Sequence, residues 1–214
     1  MSDVFTVPHV RYLPRLQPQL DNCQSVSETQ SVTFFHVNET IIAEGMPATV
    51  MYRLVSGMAR SYKSMPDGRR HISAFLSSGD VFGFEAGSAY QLSVDAVTEC
   101  KLVKLRRLSA DDMLEAVELC QYAMRSLTKA QNHAQTLGCL TAGQRLAAFL
   151  LYISALQCNE AVVLPMPRQD IADYLGSTVE TVSRGLAQFE REGFIKLTSA
   201  RRIRLLKKRA LRAV

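Results

Sequence analysis

Residues 168–184 read Arg-Gln-Asp-Ile-Ala-Asp-Tyr-Leu-Gly-Ser-Thr-Val-Glu-Thr-Val-Ser-Arg, and this stretch decides the fold of the C-terminal part of the chain. Ile171 and Leu175 lie at helical spacing before the Gly-Ser-Thr turn. Val182 and Leu186 follow the turn at the same spacing. The pattern predicts two short helices that pack on each other through these side chains. In a helix-turn-helix of this kind, the second helix lies in the major groove of DNA.

The second predicted helix opens with a polar face. Glu180 and Arg184 are four residues apart, so they lie on the same side of a helix. Arg184 can donate two parallel hydrogen bonds to a guanine, and Glu180 can accept one from a cytosine amino group. Ser183 can bond either base, and Val179 offers an apolar contact to a thymine methyl. We therefore predict that these four residues read bases. A surface salt pair between Glu180 and Arg184 is the alternative.

A second set of residues is predicted to contact the DNA backbone. Ser177 or Thr178 is placed to cap the second helix, whose free amides then point at phosphate. Basic residues crowd the last fourteen positions of the chain, and a phosphate-binding wing and tail explain them better here than a merely solvated tail. The predicted backbone contacts are Arg168, Gln169, Ser177, Thr178, Thr181, Arg201 and Arg202.

Composition and charge limit the class of protein. The 214 residues are 47% hydrophobic, which suffices for one large domain or two modest ones, and the net charge of +5 permits a polyanionic partner. We expect no membrane association and a cytoplasmic location, because no apolar run approaches the roughly 18 residues of a membrane span and no signal layout opens the chain. No phosphate loop or nucleophile motif indicates an enzyme.

The cysteines are widely spaced and form no C-x-x-C pair. Their spacing argues against a zinc site, and their odd number argues against a disulfide framework, so we predict buried thiols and no metal. The five are Cys23, Cys100, Cys120, Cys139 and Cys158.

Residues 29–108 carry short β-like runs separated by glycines, after a loosely structured segment over residues 1–28. Pro66-Asp-Gly68 is a strong hairpin signal. Many short strands at about ten-residue spacing predict an all-β barrel, sandwich or roll. The predicted strands begin at Val32, Thr40, Met51, Ala59, His71 and Cys100.

A long helix is predicted over residues 109–137, with Ser109-Ala-Asp-Asp112 as its capped start. Apolar and small residues recur along it at spacings of four and three, as in a helix–helix seam. We favour a homodimer, because a helix-turn-helix reader usually binds two half-sites through two-fold symmetry. Packing of the seam on the β domain is the alternative, and a redox role for Cys120 is a minor one. The seam is Ala116, Cys120, Ala123, Leu127, Ala130, Ala134 and Leu137.

Residues 138–214 are predicted to form a winged helix-turn-helix domain. Residues 145–153 are interpreted as its buried helix, and residues 162–167 as an extended link into the motif. Residues 193–198 and 202–206 would form a two-stranded wing with residues 198–201 at its tip.

This order of parts resembles the Crp/Fnr superfamily of transcription regulators from about residue 30 onward. The glycine landmarks of its β-roll are similar to Gly57-Met-Ala-Arg60, Asp67-Gly-Arg-Arg70 and residues 78–85. The resemblance implies an α+β fold: an N-terminal double-stranded β-helix of jelly-roll, cyclic-nucleotide-binding type, a long dimerisation helix and the winged domain. The cyclic-AMP receptor branch has Arg and Gly where this chain has Val179 and Ser183, so the Fnr/FixK branch fits better.

The resemblance also bears on effectors. Gly83-Phe-Glu85 is similar to part of the family's cyclic-AMP site, but Tyr90-Gln91 stands where its Arg-Ser pair would hold the phosphate. An Fnr-type iron–sulfur cluster needs several cysteines near the N-terminus, where this chain has only Cys23. His36 and His71 qualify as haem ligands only by being present.

By elimination the chain resembles the FixK type, which carries no cofactor and whose activity follows its expression level. The resemblance implies a TTGA(T)-type palindrome, contact with RNA polymerase, and activation of microaerobic, denitrification or nitrogen-fixation genes. Repression by blocking a promoter stays open. The alternative function is an effector-gated regulator of the same superfamily that senses a small ligand, a haem-bound gas or the redox state.

Overall fold

The computed structural model describes residues 31–105, 113–157, 159 and 161–214, with side chains of the long helix described from residue 117. It has the predicted α+β architecture: a β domain, two consecutive helices, and a helix-turn-helix with a small sheet. The strands of the β domain are β1 Val32–Phe35, β2 Thr40–Ile42, β3 Met51–Ser56, β4 Met58–Ser64, β5 Arg70–Ser77, β6 Val81–Phe82, β7 Ser93–Ala96 and β8 Cys100–Leu105. The remaining elements are α1 Met113–Cys139, α2 Ala142–Leu156, β9 Ala161–Val163, α3 Arg168–Leu175, α4 Val179–Arg191, β10 Ile195–Ser199, β11 Arg202–Leu205 and α5 Lys208–Leu211.

The β domain consists of two four-stranded antiparallel sheets, ordered β1-β8-β3-β6 and β2-β7-β4-β5. Apolar side chains from both sheets form its core, in which Leu54 and Leu102 are fully buried. The predicted hairpin turn joins β4 to β5, where the Met65 amide donates to the Arg69 carbonyl at 2.8 Å. Sequence reasoning missed β6 and β7, since two residues are too few for a periodic signal and Ser-Val-Asp-Ala is half polar.

The long helix α1 lies on the β domain through one side only. Lys129 forms an ion pair with Asp80, and His133 is buried. Of the predicted seam, Leu137 is half-buried, the side chain of Ala116 lies outside the described part, and the other members are exposed. Packing of those exposed members on the β domain is therefore not the arrangement found. The exposed members are Cys120, Ala123, Leu127, Ala130 and Ala134.

Two larger apolar residues that the seam prediction left out are also exposed on α1. Val117 is 57% exposed and Met124 is 61% exposed. With Cys120 and Leu127 they are spaced three, four and three residues apart, so they form one stripe along the helix. We call these four residues the outer face of α1. The predicted start of the helix at residues 109–112 lies outside the described residues.

The prediction of buried thiols holds for one of the cysteines that the structure describes. Cys100 is buried and donates to the Met58 carbonyl at 3.2 Å, and burial raises the pKa of its thiol. Cys139 is exposed because it lies on the solvent side of α1, so the prediction is wrong for this residue. Cys120 is also exposed in the single chain, where it belongs to the seam predicted to pack against a second copy. Cys23 and Cys158 lie outside the described residues.

The C-terminal domain is built around α2, which was predicted as a buried helix. Leu150 and Ile153 are fully buried in it, and Thr141 caps its start. The segment predicted as a plain link overlaps the end of β9, which pairs with β11, so the wing sheet has three strands in the order β10-β11-β9. Only two residues of this segment, Val162 and Val163, are in the strand, which explains why it was interpreted as a connection.

The two domains share one apolar core. Phe75 of β5 lies with its ring centroid 6.0 Å from that of Phe149 in α2 and 5.2 Å from that of Tyr174 in α3. His133 of α1 stacks on Tyr174 at 4.0 Å, and its Nε2 lies 2.9 Å from the Tyr174 carbonyl oxygen. Burial raises the pKa of Tyr174 to about 12. The first helix of the helix-turn-helix is therefore packed directly against the β domain.

A buried group of charges also joins the domains. Arg60 of β4 donates to Asp170 of α3 at 2.6 Å and to Asp95 of β7 at 3.2 Å. Arg70 of β5 donates to Asp170 at 3.0 Å and to Asp173 at 3.2 Å. Asp170 is 0% exposed, and we call these five residues the joint cluster. Because separation of the domains would leave these charges unpaired, the cluster fixes where α3 lies.

Among the described residues, no helix combines the length and the apolar character needed to span a membrane.

Candidate nucleic-acid interface

The helix-turn-helix has the geometry that the sequence predicted. Ile171, Leu175, Val182 and Leu186 are all buried between α3 and α4. The turn between the helices requires Gly176, whose φ of +56° lies in the left-handed region that favours glycine. The carbonyl at the end of α3, on Leu175, accepts a hydrogen bond from the Arg145 guanidinium of α2 at 3.0 Å. The turn at Gly176 and the hydrogen bond from Arg145 together set the angle between α3 and α4.

The first turn of α4 is capped by Thr178. Its hydroxyl oxygen accepts from the Thr181 amide at 3.2 Å, so of the two predicted caps Thr178 fills the position and Ser177 precedes it. A helix start leaves several amides without intrahelical partners, and here they lie beside exposed polar side chains. This end of α4 can therefore accept an anion such as a phosphate.

Glu180 and Arg184 both project into solvent from α4. No ion pair within 4 Å joins them among the described residues, so the alternative of a surface salt pair is not found. The pKa of Glu180 is lowered, first by its own backbone amide, then by the Thr178 hydroxyl and the charge of Arg184. Nη2 of Arg184 donates to the Thr181 hydroxyl at 3.4 Å. An ionised carboxylate and a guanidinium without an ion-pair partner among the described residues are thus presented side by side.

The other two predicted base readers are less exposed. Val179 is half-buried and packs partly on the domain core, which leaves only part of its side chain for an apolar contact. Ser183 is half-buried, and its hydroxyl accepts a hydrogen bond from Nη1 of Arg168 at 3.0 Å. We call Val179, Glu180, Ser183 and Arg184 the reading face.

A groove of about 510 Å³ lies beside the reading face, between α4 and the start of α2. The helices approach closely at Gly185, where an added Cβ would lie 2.7 Å from a methyl carbon of Leu146. Gln188 and Arg191 line the groove together with Thr181, and sequence reasoning missed both. Their spacing of four and seven residues from Arg184 is the signal that could have found them.

The residues predicted to contact the DNA backbone differ in whether their polar groups are already engaged within the protein. Gln169 is exposed, but its amide already donates to Asp173 at 2.6 Å. Arg201 and Arg202 are exposed at the tip of the wing, next to the turn between β10 and β11. Arg204 projects on the same side of β11 as Arg202, because the strand alternates exposed and buried residues. The wing therefore presents a basic surface on the side of the sheet away from the core.

The β domain contains a cleft of about 360 Å³ at the position where the family resemblance placed an effector. Glu85 is the charged side chain among its lining residues, and its carboxylate accepts from the Gln91 amide at 2.9 Å. Tyr90, which stands in place of an arginine, is buried and donates to the Val50 carbonyl at 2.6 Å. The lining, which includes Leu119 of α1, offers no cation to a phosphate group within the described residues.

The surroundings of the two histidines considered as haem ligands do not resemble a haem site. His36 is exposed, and His71 is half-buried with its ring 6.2 Å from that of His133. Across the described ranges, no group of three or more His, Cys, Asp or Glu side chains could hold a metal ion.

Comparison with known proteins agrees with this arrangement. Residues 32–117 match the model of a cyclic nucleotide-binding domain, and residues 144–214 match that of a Crp-like helix-turn-helix domain. The nitrogen fixation regulation protein FixK of Azorhizobium caulinodans is 40% identical over 201 residues, covering 88% of this chain and 81% of that protein. FixK of Rhizobium meliloti is 36% identical over 190 residues, covering 88% and 89%.

Solved structures give the same result. FixK2 from Bradyrhizobium japonicum has a TM-score of 0.80 at 36% identity, covering 86% of this chain and 96% of that chain. A Crp-family regulator from Thermus thermophilus has a TM-score of 0.75 at 29% identity, covering 85% and 95%. The fold, the two matching domain models and relatives this similar over most of their length show that the chain belongs to the Crp/Fnr superfamily, as a DNA-binding transcription regulator of the FixK/Fnr type.

Proposed function

We propose that this regulator binds a TTGA(T)-type palindrome as a homodimer and activates transcription, without catalytic activity of its own. The observation that carries the proposal is the reading face. Glu180 and Arg184 project together from the capped start of α4, and neither is engaged in an ion pair among the described residues. Such a pair of side chains matches the donors and acceptors of a guanine and a cytosine in the major groove.

Each half-site would be read by one copy of the reading face. Arg184 donates to O6 and N7 of a guanine, and Glu180 accepts from a cytosine amino group. The exposed part of Val179 contacts a thymine methyl. The two half-sites lie about one helical turn apart between centres, which is the spacing that two-fold symmetry imposes on helix-turn-helix dimers.

Backbone contacts would surround the bases. The amides at the start of α4, with Ser177 and Thr181, face one phosphate strand, and Gln188 and Arg191 extend that contact along the groove. Arg201 and Arg202 reach a second phosphate segment from the wing. These contacts carry no sequence information but fix the position of α4 on the duplex.

The dimer would form through the outer face of α1. Val117, Cys120, Met124 and Leu127 form an apolar stripe in contact with water in the single chain. A stripe with spacings of three and four residues is what a second helix covers in a coiled coil. The small side chains Ala123, Ala130 and Ala134 beside it permit a close approach. Cys120 is then a packing residue.

The β domain would act without a small-molecule effector, as in the FixK type. The cleft has Glu85 as its charged lining residue, which disfavours an anionic ligand such as a cyclic nucleotide. Activity would then follow the amount of protein in the cytoplasm. The names of the similar proteins from Azorhizobium caulinodans and Rhizobium meliloti support nitrogen-fixation genes among the targets. An uncharged effector in the cleft is the competing function.

Each of the three parts of the chain would have its own role. Residues 29–108 would serve as the sensor-like domain, residues 109–137 as the dimerisation helix and residues 138–214 as the DNA-binding domain, with RNA polymerase as the further partner.

A gel-shift titration with aerobic, metal-free protein tests the proposal. The probe is a TTGA(T) palindrome, and a scrambled duplex of equal composition is the control. We expect selective binding without added ligand, with the mass of a dimer in sedimentation at the same concentration. Equal affinity for both duplexes would contradict the DNA-reading role. Selective binding only after addition of small molecules from a filtered cell extract would instead favour the effector-gated function.

A further inference from the structure

We propose that Arg168 sets the base preference of Ser183, because a Ser183 oxygen that accepts from the Arg168 cation is a better donor and a poorer acceptor toward the DNA. The inference rests on the proposed reading role of α4. It changes the part of Arg168 from a backbone contact, as the sequence predicted, to a residue that positions a base reader. The contact between the two side chains is the 3.0 Å hydrogen bond from Nη1 of Arg168 to Oγ of Ser183.

The direction of this hydrogen bond follows from the chemistry of arginine. A guanidinium carries only N–H donors and stays protonated in proteins, so Arg168 cannot accept. The Ser183 oxygen must therefore accept from it. Arg168 is the first residue of α3, directly after Pro167, and both it and Ser183 are half-buried. The rigid joint between α3 and the β domain, centred on Asp170, keeps Arg168 at this place.

The proton of the Ser183 hydroxyl remains available. Serine and threonine in helices often donate to the carbonyl four residues earlier. Thr128 and Thr136 of α1 do so, at 2.9 Å to Met124 and at 2.9 Å to Asn132. Among the described residues, Ser183 makes no such bond, and the contact with Arg168 is its one side-chain hydrogen bond. A hydroxyl that accepts from a cation is also polarised into a better donor.

A hydroxyl that already accepts from a cation discriminates between bases. Ser183 keeps its proton and one of its two lone pairs, but with the other lone pair engaged by Arg168 it donates more readily than it accepts. In the major groove, thymine presents O4, guanine presents O6 and N7, and adenine presents N7 as acceptors, whereas cytosine presents only a donor. Ser183 held by Arg168 therefore donates to thymine, guanine or adenine in preference to accepting from cytosine. Without Arg168, both lone pairs are free to accept from the cytosine amino group. Arg168 thus disfavours cytosine at the base that faces Ser183.

Loss of a residue that positions Ser183 would change DNA binding differently from loss of a phosphate contact. A lost phosphate contact weakens binding to all sequences alike and reduces the slope of log affinity against log salt by about one. Loss of a positioning residue changes the preference at one base and leaves the slope nearly as it was. The wing residue Arg201, exposed and proposed to contact phosphate, is the matched control.

The test measures dissociation constants on the palindrome and on symmetric variants carrying each other base at each half-site position. The proteins are wild type, Arg168→Met, Ser183→Ala, the double variant and Arg201→Ala. Ser183→Ala identifies the position that Ser183 reads. There we expect Arg168→Met to reduce discrimination against cytosine about five-fold per half-site, the equivalent of one hydrogen bond. The double variant should match Ser183→Ala, and the salt slope should fall only for Arg201→Ala.

Three results would overturn the inference. Uniform weakening by Arg168→Met with a slope lower by about one would make Arg168 a phosphate contact. Additive effects of Arg168→Met and Ser183→Ala would show that the two side chains act independently. Unchanged base preference in Ser183→Ala would remove Ser183 from the reading face while leaving the DNA-binding role of α4 intact. Failure of wild type to prefer the palindrome would instead contradict the proposed function. Thermal unfolding of each variant verifies that it is folded.

Discussion

The joint cluster and the reading face contain the same kinds of side chain in opposite surroundings. In the joint cluster, Arg60 and Asp170 are buried, and each forms two ion pairs inside the protein. On the reading face, Glu180 and Arg184 are exposed, and no ion pair within the described residues engages either of them. Charges that form ion pairs inside the protein hold the domains together, whereas charges without an ion-pair partner are available to a ligand. The comparison predicts that removal of a charge lowers the stability of the fold in the joint cluster and lowers the affinity for DNA on the reading face.

Removal of one charge from the joint cluster should have the largest effect. Asp170→Asn leaves Arg60 and Arg70 beside a neutral amide, and the loss of one partner of a buried pair costs about 3–5 kcal/mol. We expect the urea midpoint to fall accordingly. Asp67→Asn, which removes an exposed partner of Arg69, is the matched control and should change little. An Asp170→Asn midpoint equal to that of wild type would show that the cluster is not what fixes α3.

Replacement of all three buried charges sharpens the first prediction. The triple variant Arg60→Met, Asp95→Asn, Asp170→Leu leaves no buried charge of this group without a partner, so it should be less destabilised than Asp170→Asn. If the triple variant is the less stable of the two, then the ion pairs add stability beyond avoiding an unpaired charge.

The next largest effect is expected on the reading face, and on DNA binding rather than on folding. Arg184→Ala should weaken binding to the palindrome by about 1–3 kcal/mol per half-site, since a bidentate contact to guanine is lost. Its urea midpoint should stay close to that of wild type. Gel shifts and urea unfolding on the same preparation measure both quantities. Lys63→Ala, which removes one exposed positive charge from the β domain, controls for net charge. Equal selectivity of Arg184→Ala and wild type would remove α4 from the base-reading role.

A smaller effect is expected from the wing. Arg201→Ala and Arg202→Ala should each weaken binding to all sequences and reduce the salt slope by about one per half-site. Titrations between roughly 50 and 200 mM potassium chloride provide the slope, because counterion release dominates this range. Arg69→Ala, at an exposed turn of the β domain, should leave the slope unchanged. A wing variant that behaves like Arg69→Ala would show that the wing does not touch the duplex.

The smallest effect concerns pH at the domain joint. Burial lowers the pKa of His133 below its ordinary value of 6.5, with the nearby His71 adding to the shift. Well above pH 6.5 both folded and unfolded forms are neutral at this residue. As the pH falls through this value, the unfolded form binds the proton first, so the free energy of unfolding decreases until the folded form titrates as well. Urea unfolding from about pH 8 to about pH 5 should therefore show a shallower decrease for His133→Gln than for wild type.

The parts of this molecule that sequence reasoning could find are those encoded locally. The helix-turn-helix follows from apolar spacing within residues 168–186, and the roll follows from short runs and glycine turns. The joint cluster could not be found in this way, since Asp170 lies 110 residues from Arg60 and is an ordinary acidic residue for the start of a helix. The hydrogen bond between Arg168 and Ser183 could not be predicted for a similar reason, because it depends on how α3 and α4 cross.

The outer face of α1 was found only in part. The heptad pattern located Cys120 and Leu127. At the other positions it selected alanines, whereas the larger exposed side chains of the stripe are Val117 and Met124. A single helix can carry two overlapping sets of apolar residues, each with spacings of three and four. Only the packing of α1 on the β domain shows which set is left exposed.

The shared core between the domains limits how such regulators can be recombined. Phe75, Arg60 and Arg70 belong to the β domain, while their contacts Tyr174 and Asp170 belong to the reader. A chimera that joins this reader to a foreign β domain would place a buried carboxylate and an aromatic surface against unmatched residues. A functional graft of this DNA-binding domain therefore requires that Arg60, Arg70 and Phe75 be transplanted together with α3, so its boundary lies inside the β domain rather than at the helix that follows it.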